Sequence, residues 1–253
     1  MINKSDFWVV VPFYNEEKGI SKTLESLTRQ SDLNFSLVLV NNASTDNTLA
    51  VVEKFIAANP PFAVACIFEG QKGTGSASDS GFRYAIAQGA KFIARTDADC
   101  LPHTDWVKNI KYGFEHEKLE LVVGKIKART DDFRLTWRDK FILPVVVFIA
   151  ENFGKINRRG KQFKYTYIMV AGNNLALTAD LYERAGGFPR TSIEQAHEDK
   201  VLSEKIRTIT NRVKKKNNVI VYNSVRRAKA YGYWNSLMWY WDHKYKPQEV
   251  DIR

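Results

Sequence analysis

The chain has 253 residues, 44% of them hydrophobic and 26% charged, with 14 glycines, 7 prolines and only 2 cysteines. These proportions exclude a disordered, collagen-like or disulfide-stapled chain; they leave room for one large domain or two small ones, and the even spacing of the elements favours one. The net charge of +10 belongs to the second part, since residues 1–100 hold 9 Lys and Arg against 11 Asp and Glu and the remainder 29 against 17.

In chain order, Phe7 to Pro12 is a continuous apolar run of the kind that forms a strand covered on both faces. Asn15-Glu16-Glu17 opens a helix with Ile20, Leu24 and Leu27 on one face. Phe35 to Val40 is a second buried strand, and Asn41 to Asp46 is loop chemistry leading to a helix cap ahead of Leu49, Val52, Phe55 and Ile56. Phe62 to Phe68 is a third strand, the Gly70-to-Gly75 loop leads into a helix through Tyr84 and Ile86, and Lys91 to Ala94 is the fourth strand. Alternation at this spacing predicts an α/β fold with a parallel sheet, crossover helices and the functional loops along one edge.

Beyond residue 100 the pattern is less regular. A helix follows Asp105 with Trp106, Ile110 and Phe114 on one side, and Leu119 to Ile126 is a strand. Asp131 to Asn157 reads as mostly helical and holds the apolar run Phe141 to Ala150, too short for the roughly 20 residues of a bilayer span and broken by Pro144. It is either a core helix or an interfacial one, so peripheral membrane contact through 141–164 stays open. Ile168 to Leu177 reads as a strand, Thr178 as the cap of a short helix stopped by Gly186-Gly187, Ser192 to Ile209 as an amphipathic helix and Asn218 to Tyr222 as the last strand. One domain over 1–253 is expected, with halves 1–100 and 101–225 and an aromatic, basic tail over 226–253.

The stretch with the clearest chemistry is Arg95-Thr96-Asp97-Ala98-Asp99-Cys100, in which two carboxylates one residue apart follow a β-prone run. Acids at the carboxyl end of a strand stand where open α/β sheets bind ligands. Hard oxygens at this spacing suit Mg²⁺ or Mn²⁺, whose other positions go to water and the oxygens of a diphosphate. The basic groups Arg158-Arg159, Lys214-Lys215-Lys216 and Arg226-Arg227 either meet phosphate or an anionic surface or are solvated faces. They are not interleaved with aromatics in a nucleic-acid motif, so no nucleic-acid partner is expected. Cys66 and Cys100 have neither disulfide nor zinc spacing, and no signal-peptide pattern opens the sequence. A cytoplasmic location is expected, with the inner face of the membrane as an option.

Val11-Pro12-Phe13-Tyr14-Asn15-Glu16-Glu17, the Asn41-to-Thr48 loop, Asp97-Ala98-Asp99, Gly172-Asn173-Asn174 ahead of Gly186-Gly187-Phe188, and Glu198-Asp199 occur together in this order. The combination resembles family 2 glycosyltransferases, inverting enzymes with the GT-A fold, from about Trp8 to Arg207. The resemblance implies transfer of a sugar from a nucleotide-diphosphate donor to a glycan or lipid-linked acceptor hydroxyl, helped by Mg²⁺ or Mn²⁺. It implies that Pro12, Tyr14 and Glu16 hold the base and ribose, that Asp97 reaches ribose or metal, that Asp99 ligates the metal and that Asp199 is the general base. Asp46 matches the acid closing the second loop, a helix cap being the plainer reading. Asn42, Lys72 and Arg226 are the remaining donor-side candidates, and Gly172, Asn173, Asn174 and Glu198 those on the acceptor side.

The need for a base is independent of the resemblance. An inverting displacement requires one opposite the leaving diphosphate, and an ordinary aspartate, with a pKa near 3.9, must either take the proton during attack or have its pKa raised by burial. Acid at a helix amino terminus is favourable without catalysis, so Glu198-Asp199 has that plainer reading too. His197 is read either as a further metal ligand or as a residue capping the turn. Two positions depart from the family pattern: Asn41-Asn42 replaces paired aspartates, and Ser78-Asp79 replaces an arginine-asparagine step whose phosphate contact would pass to Lys72, Arg83 or Arg226. Two rival readings are a sugar-phosphate nucleotidylyltransferase, disfavoured because Pro12 to Glu16 is not a Gly-rich Arg-Lys loop, and a catalytically silent sugar-nucleotide-binding protein.

Overall fold

The computed structural model describes residues 5–131, 160–190, 197–226 and 232. The apolar run at 141–150, Arg158, Arg159, the expected helix start at 192–196, Arg227 and the aromatic tail from 233 onward lie outside them.

Strands β1 (Phe7–Phe13), β2 (Ser36–Asn41), β3 (Val64–Phe68) and β4 (Phe92–Arg95) are joined through helices α1 (Ile20–Thr28), α2 (Thr48–Ala57) and α3 (Thr74–Ala87). They are followed by β5 (Cys100–Pro102), α4 (Trp106–Glu115), β6 (Leu121–Ala128), a 3₁₀ turn (Gly172–Asn174), β7 (Leu175–Thr178), α5 (Ala179–Arg184), α6 (Glu198–Ile209) and β8 (Val213–Asn223). One eight-stranded sheet runs β3-β2-β1-β4-β7-β6-β8-β5. The pairs of β1 with β2 and β4, of β2 with β3 and of β6 with β8 are parallel, whereas β4–β7, β6–β7 and β5–β8 are antiparallel. This mostly parallel sheet flanked by helices is the α/β GT-A arrangement expected.

The run Phe7 to Phe13 works as expected. Its odd-numbered apolar residues pack with α1, α2 and α4 on one face, while Trp8 and Val10 pack with α3, α5 and α6 on the other. With period-2 side chains, a strand covered on both sides must be apolar at both parities.

Several expectations need correction. The first helix begins at Ile20, not near Asn15, because Asn15 takes a left-handed φ of 51° and residues 15–17 bond to the next loop instead of propagating a helix. Of the strand expected over Ile168 to Leu177 only β7 forms, after Gly172-Asn173-Asn174 turns in a 3₁₀ step. The helix read from Ser192 is described from Glu198. β5 was not foreseen; three residues are too few to carry a period, and only β8 opposite makes them a strand. Thr178 does cap α5 by accepting from the Leu181 N–H, and Gly186 and Gly187 end the turn at φ of +74° and +73°. The lysine run lies on β8, where Lys214 and Lys216 both pair with Glu117 instead of forming a free basic patch. Among the described residues no helix is long and apolar enough to cross a membrane.

Candidate functional site

β1 has β2 on one side and β4 on the other, so their carboxyl ends open a crevice at the point where the strand order reverses. β4 pairs only as far as Val10↔Arg95, and Pro12, which has no N–H to give, lies beyond that end.

The loops after β1 and β2 form one wall. The Asn15 N–H donates to Ser44 Oγ at 3.2 Å, the Thr45 N–H to Asn15 Oδ1 at 2.8 Å, the Glu16 N–H to Thr48 Oγ1 at 2.7 Å and the Glu17 N–H to Asp46 Oδ2 at 3.3 Å. Burial would raise the Asp46 carboxyl, but hydrogen bonds from the Thr48 hydroxyl and the Thr48 and Glu17 N–H groups hold it below its ordinary value. Asp46 therefore ties two loops together as well as bonding to the first turn of α2.

Asn42, one of the departures from the family pattern, closes the third loop. Its Nδ2 donates to the carbonyls of Glu69 (3.0 Å) and Gln71 (2.8 Å), and its Oδ1 accepts from the Gly73 N–H (2.9 Å). A carboxylate accepts but cannot donate, so only an amide satisfies all three groups. Asn42→Asp should therefore cost about 1–3 kcal/mol and loosen residues 69–73, which urea unfolding and limited proteolysis would register. Lys72, from the same loop, lies over the Tyr14 ring at 5.8 Å.

The floor is Arg95, the last residue of β4 and almost completely buried. Its Nε donates to Asp97 Oδ1 at 3.1 Å and its Nη1 to Glu198 Oε1 at 3.0 Å, with Phe188 5.5 Å from the guanidinium. Burial alone would lower the Arg95 pKa; Asp97, Glu198 and Asp199 raise it above the usual value. Asp97 is shifted up by burial, with Asp99 and Glu198 adding to the rise against Arg95. Burial, with Asp99 and Asp97 beside it, pushes the Cys100 thiol well above its ordinary pKa.

Arg95 links the acid pair to the opposite wall. Glu198 and Asp199 open α6, with His197 buried at its N-cap position and forming no side-chain cap bond. Asp199 Oδ2 accepts from the Gly172 N–H at 3.0 Å and its Oδ1 from the Lys200 N–H at 2.6 Å. Burial, reinforced by Glu198, pushes its pKa up to about 6 despite those bonds and Arg95. Close approach needs the glycines: a Cβ on Gly172 would stand 2.8 Å from Arg95 Nη1, and one on Gly75 would strike the Pro189 carbonyl.

The residues singled out in the sequence thus fall into two groups. Asp97, Asp99, Glu198, Asp199, Gly172, Glu16 and Arg226 are gathered through Arg95 and Arg226, the latter pairing with both Glu16 and Asp99. Asn174 is not a cleft residue. It is buried, donates to the Lys125 and Val219 carbonyls and accepts from Trp106 Nε1 at 2.9 Å, so it bolts β6, β8 and α4 together. Asn173 Nδ2 reaches Cys100 Sγ at 3.5 Å. Arg83 pairs with Asp79 and lines a cavity with Tyr182, Gly186 and Gly187, apart from the acid pair.

Arg95 and Arg190 had no role in the sequence reading. Arg190 bonds Glu69, Gln71, Asp79 and Ser80, clamping the third loop to the segment that leads toward α6. The available signal for Arg95 was a charged side chain ending an apolar strand, which is buried only if paired.

The acid pair suits a hard divalent cation. Asp97 and Asp99 keep 31% and 24% of their side-chain surface exposed, so an ion can reach both carboxylates. Among the described residues no three His, Cys, Asp or Glu side chains converge as a complete cage, whether or not His197 is counted with the pair. Such a donor set matches an ion that takes its remaining oxygens from a diphosphate and water.

A family model described as glycosyl transferase family 2 matches residues 8–182. The glycosyltransferase AglE of Haloferax volcanii is 28% identical over 184 residues, 72% of this chain and 55% of that protein. The mannosyltransferase PcManGT from Pyrobaculum calidifontis, solved with GDP-Man and Mn²⁺, superposes with a TM-score of 0.68 at 24% identity, covering 93% of this chain and 61% of that one. Staphylococcus aureus TarS 1–349, solved with UDP, gives 0.64 at 18% identity, covering 91% and 64%. The chain spans about half the length of the first curated relatives it matches.

Proposed function

The chain is a member of glycosyl transferase family 2, and on that premise we propose that it moves a sugar from a nucleoside diphosphate to an acceptor hydroxyl with inversion, Asp199 acting as general base. The observation that carries this reading is the continuous polar chain Asp97–Arg95–Glu198, which joins the acid pair after β4 to the first turn of α6, where Asp199 sits. An in-line displacement requires a base on one side of the anomeric carbon and a phosphate-side acid pair on the other, because the attacking oxygen and the leaving oxygen lie on opposite sides of that carbon, and Arg95 joins the two elements that carry them.

Asp199 has the properties of such a base. Burial raises its pKa toward the pH at which it works, so it accepts a proton more readily than a solvated aspartate, and the Gly172 and Lys200 N–H groups fix its oxygens. Pro12, Tyr14, Glu16 and Lys72 line the donor side. Gly172, Asn173 and Glu198 bound the acceptor side, where a glycan or lipid-linked alcohol binds.

Asp99, assisted by Asp97, would hold Mg²⁺ or Mn²⁺. The ion supplies charge neutralisation for the departing diphosphate. GDP-Man with Mn²⁺ in one neighbour and UDP in the other support a nucleoside diphosphate as ligand. With the Asn42 amide bonded to backbone at residues 69–73, reading of the base falls to other groups.

Calorimetry with UDP and GDP, each with and without Mn²⁺, tests this reading. One nucleotide should bind the parent in a Mn²⁺-dependent manner, and Asp99→Ala should weaken that binding by about tenfold or more, equivalent to ~1.4 kcal/mol. Equal binding by parent and variant would remove the metal from Asp99.

A further inference from the structure

Asp99 is already paired with a cation, the guanidinium of Arg226. Nη2 of Arg226 bonds the Glu16 carboxylate and lies 3.2 Å from Asp99 Oδ2. The three side chains keep only 18%, 11% and 24% of their surface for Arg226, Glu16 and Asp99. They come from chain positions 210 and 127 residues apart, so tertiary structure alone brings them together.

The placement is set by backbone. Asn223, the last residue of β8, stands opposite Cys100, the first of β5. The chain beyond β8 therefore leaves the sheet beside Asp99, and three residues later delivers Arg226, whose N–H donates to Ser224 Oγ. On the other side, the Glu16 backbone is fixed by Thr48 Oγ1. Glu16 and Asp99 thus both anchor Arg226, and Asp99 is the acid with the strongest case as a metal ligand.

Resting on the metal reading of Asp99, we propose that Arg226 holds the cation's place while the donor site is empty and passes to the diphosphate when nucleotide and metal arrive together. A divalent ion bonded to Asp99 would stand beside a guanidinium of like charge. The two coexist only when phosphate oxygens lie between them, and arginine's planar fork suits those oxygens. Glu16 keeps one side of the guanidinium neutralised throughout, so the residue pivots between Asp99 and phosphate. The consequence is coupling: the bare protein binds metal weakly, and nucleoside diphosphate raises metal affinity by removing the arginine from Asp99. Arg226 is in this sense a positioning residue that makes metal binding conditional on the donor.

The experiment is a Mn²⁺ titration followed by electron paramagnetic resonance of the free ion, on the parent, Arg226→Gln, Arg226→Lys and Asp99→Ala, with circular dichroism verifying the fold. Each is titrated alone and with saturating UDP or GDP, whichever the parent binds. Arg226→Gln should bind Mn²⁺ alone about tenfold more tightly than the parent, and nucleotide should tighten its Mn²⁺ binding by a smaller factor than in the parent. Arg226→Lys, which keeps the charge, should bind Mn²⁺ alone no more tightly than the parent. Equal or weaker binding of Mn²⁺ by nucleotide-free Arg226→Gln, or a nucleotide effect as large as the parent's, would overturn the proposal. A nucleotide-saturated Asp99→Ala that binds Mn²⁺ like the parent would instead remove the metal reading, and this proposal with it.

Discussion

Asp199→Asn should lower sugar transfer by about 10²–10⁴-fold, the range a positioned general base contributes. Donor binding should stay close to the parent's, because Asp199 faces the acceptor side in the proposed arrangement. In the parent, kcat/KM should rise with pH through about 6 as Asp199 loses its proton, and that step should vanish in the variant. Stability should move in the opposite sense. A carboxyl whose folded pKa stands above its ordinary value favours the folded state while protonated, so its contribution declines as pH rises from the ordinary value through about 6 and is unfavourable above. An asparagine removes that standing cost at pH 7.5. It can still accept one of the two N–H bonds from Gly172 and Lys200, and losing the other costs about 1 kcal/mol. The Tm of Asp199→Asn at pH 7.5 should accordingly be no lower than the parent's. Turnover by the variant near the parental rate would eliminate Asp199 as the base.

Arg95→Met should be the most destabilising single substitution in the site. It leaves the buried Glu198 and the half-buried Asp97 with no guanidinium between them, and breaking the buried Arg95–Glu198 pair alone typically costs ~3–5 kcal/mol. Arg95→Lys should fall between, since one ammonium cannot reproduce a fork whose Nε meets Asp97 while Nη1 meets Glu198. Adding Glu198→Gln to Arg95→Met should recover part of the loss, and guanidinium chloride unfolding of the parent, Arg95→Met, Glu198→Gln and the double variant gives the coupling energy. Additive losses in that cycle would mean that the Arg95–Glu198 contact has no energetic role.

The parts of the site legible in the sequence are those whose signal is local. Asp97 and Asp99 could be placed at a strand's carboxyl end because Ile93 and Ala94 precede them, and Thr178 with Gly186-Gly187 marked both ends of α5. The acids of α6 were visible for the same reason. Asn42 was recognised as a departure, but its partners at residues 69–73 lie in another loop, and nothing near it in sequence says that an amide is needed there. Asn174 went wrong in a related way: its neighbours Gly172 and Asn173 do lie near the acids, whereas its own side chain turns into the core between β6, β8 and α4.

What the sequence by itself determined is the wound sheet of the first half and the edge at which its loops gather, because hydrophobic period, caps and glycine stops act over a few residues. Only the tertiary structure decided which charges meet there. Arg95 reaches Glu198 across 103 positions, and Arg226 reaches Glu16 across 210. Charges in a cleft are neutralised by whatever side chain the packing brings within about 4 Å, and that distance is set by the crossing of whole elements, for which no short stretch of chain carries a signal.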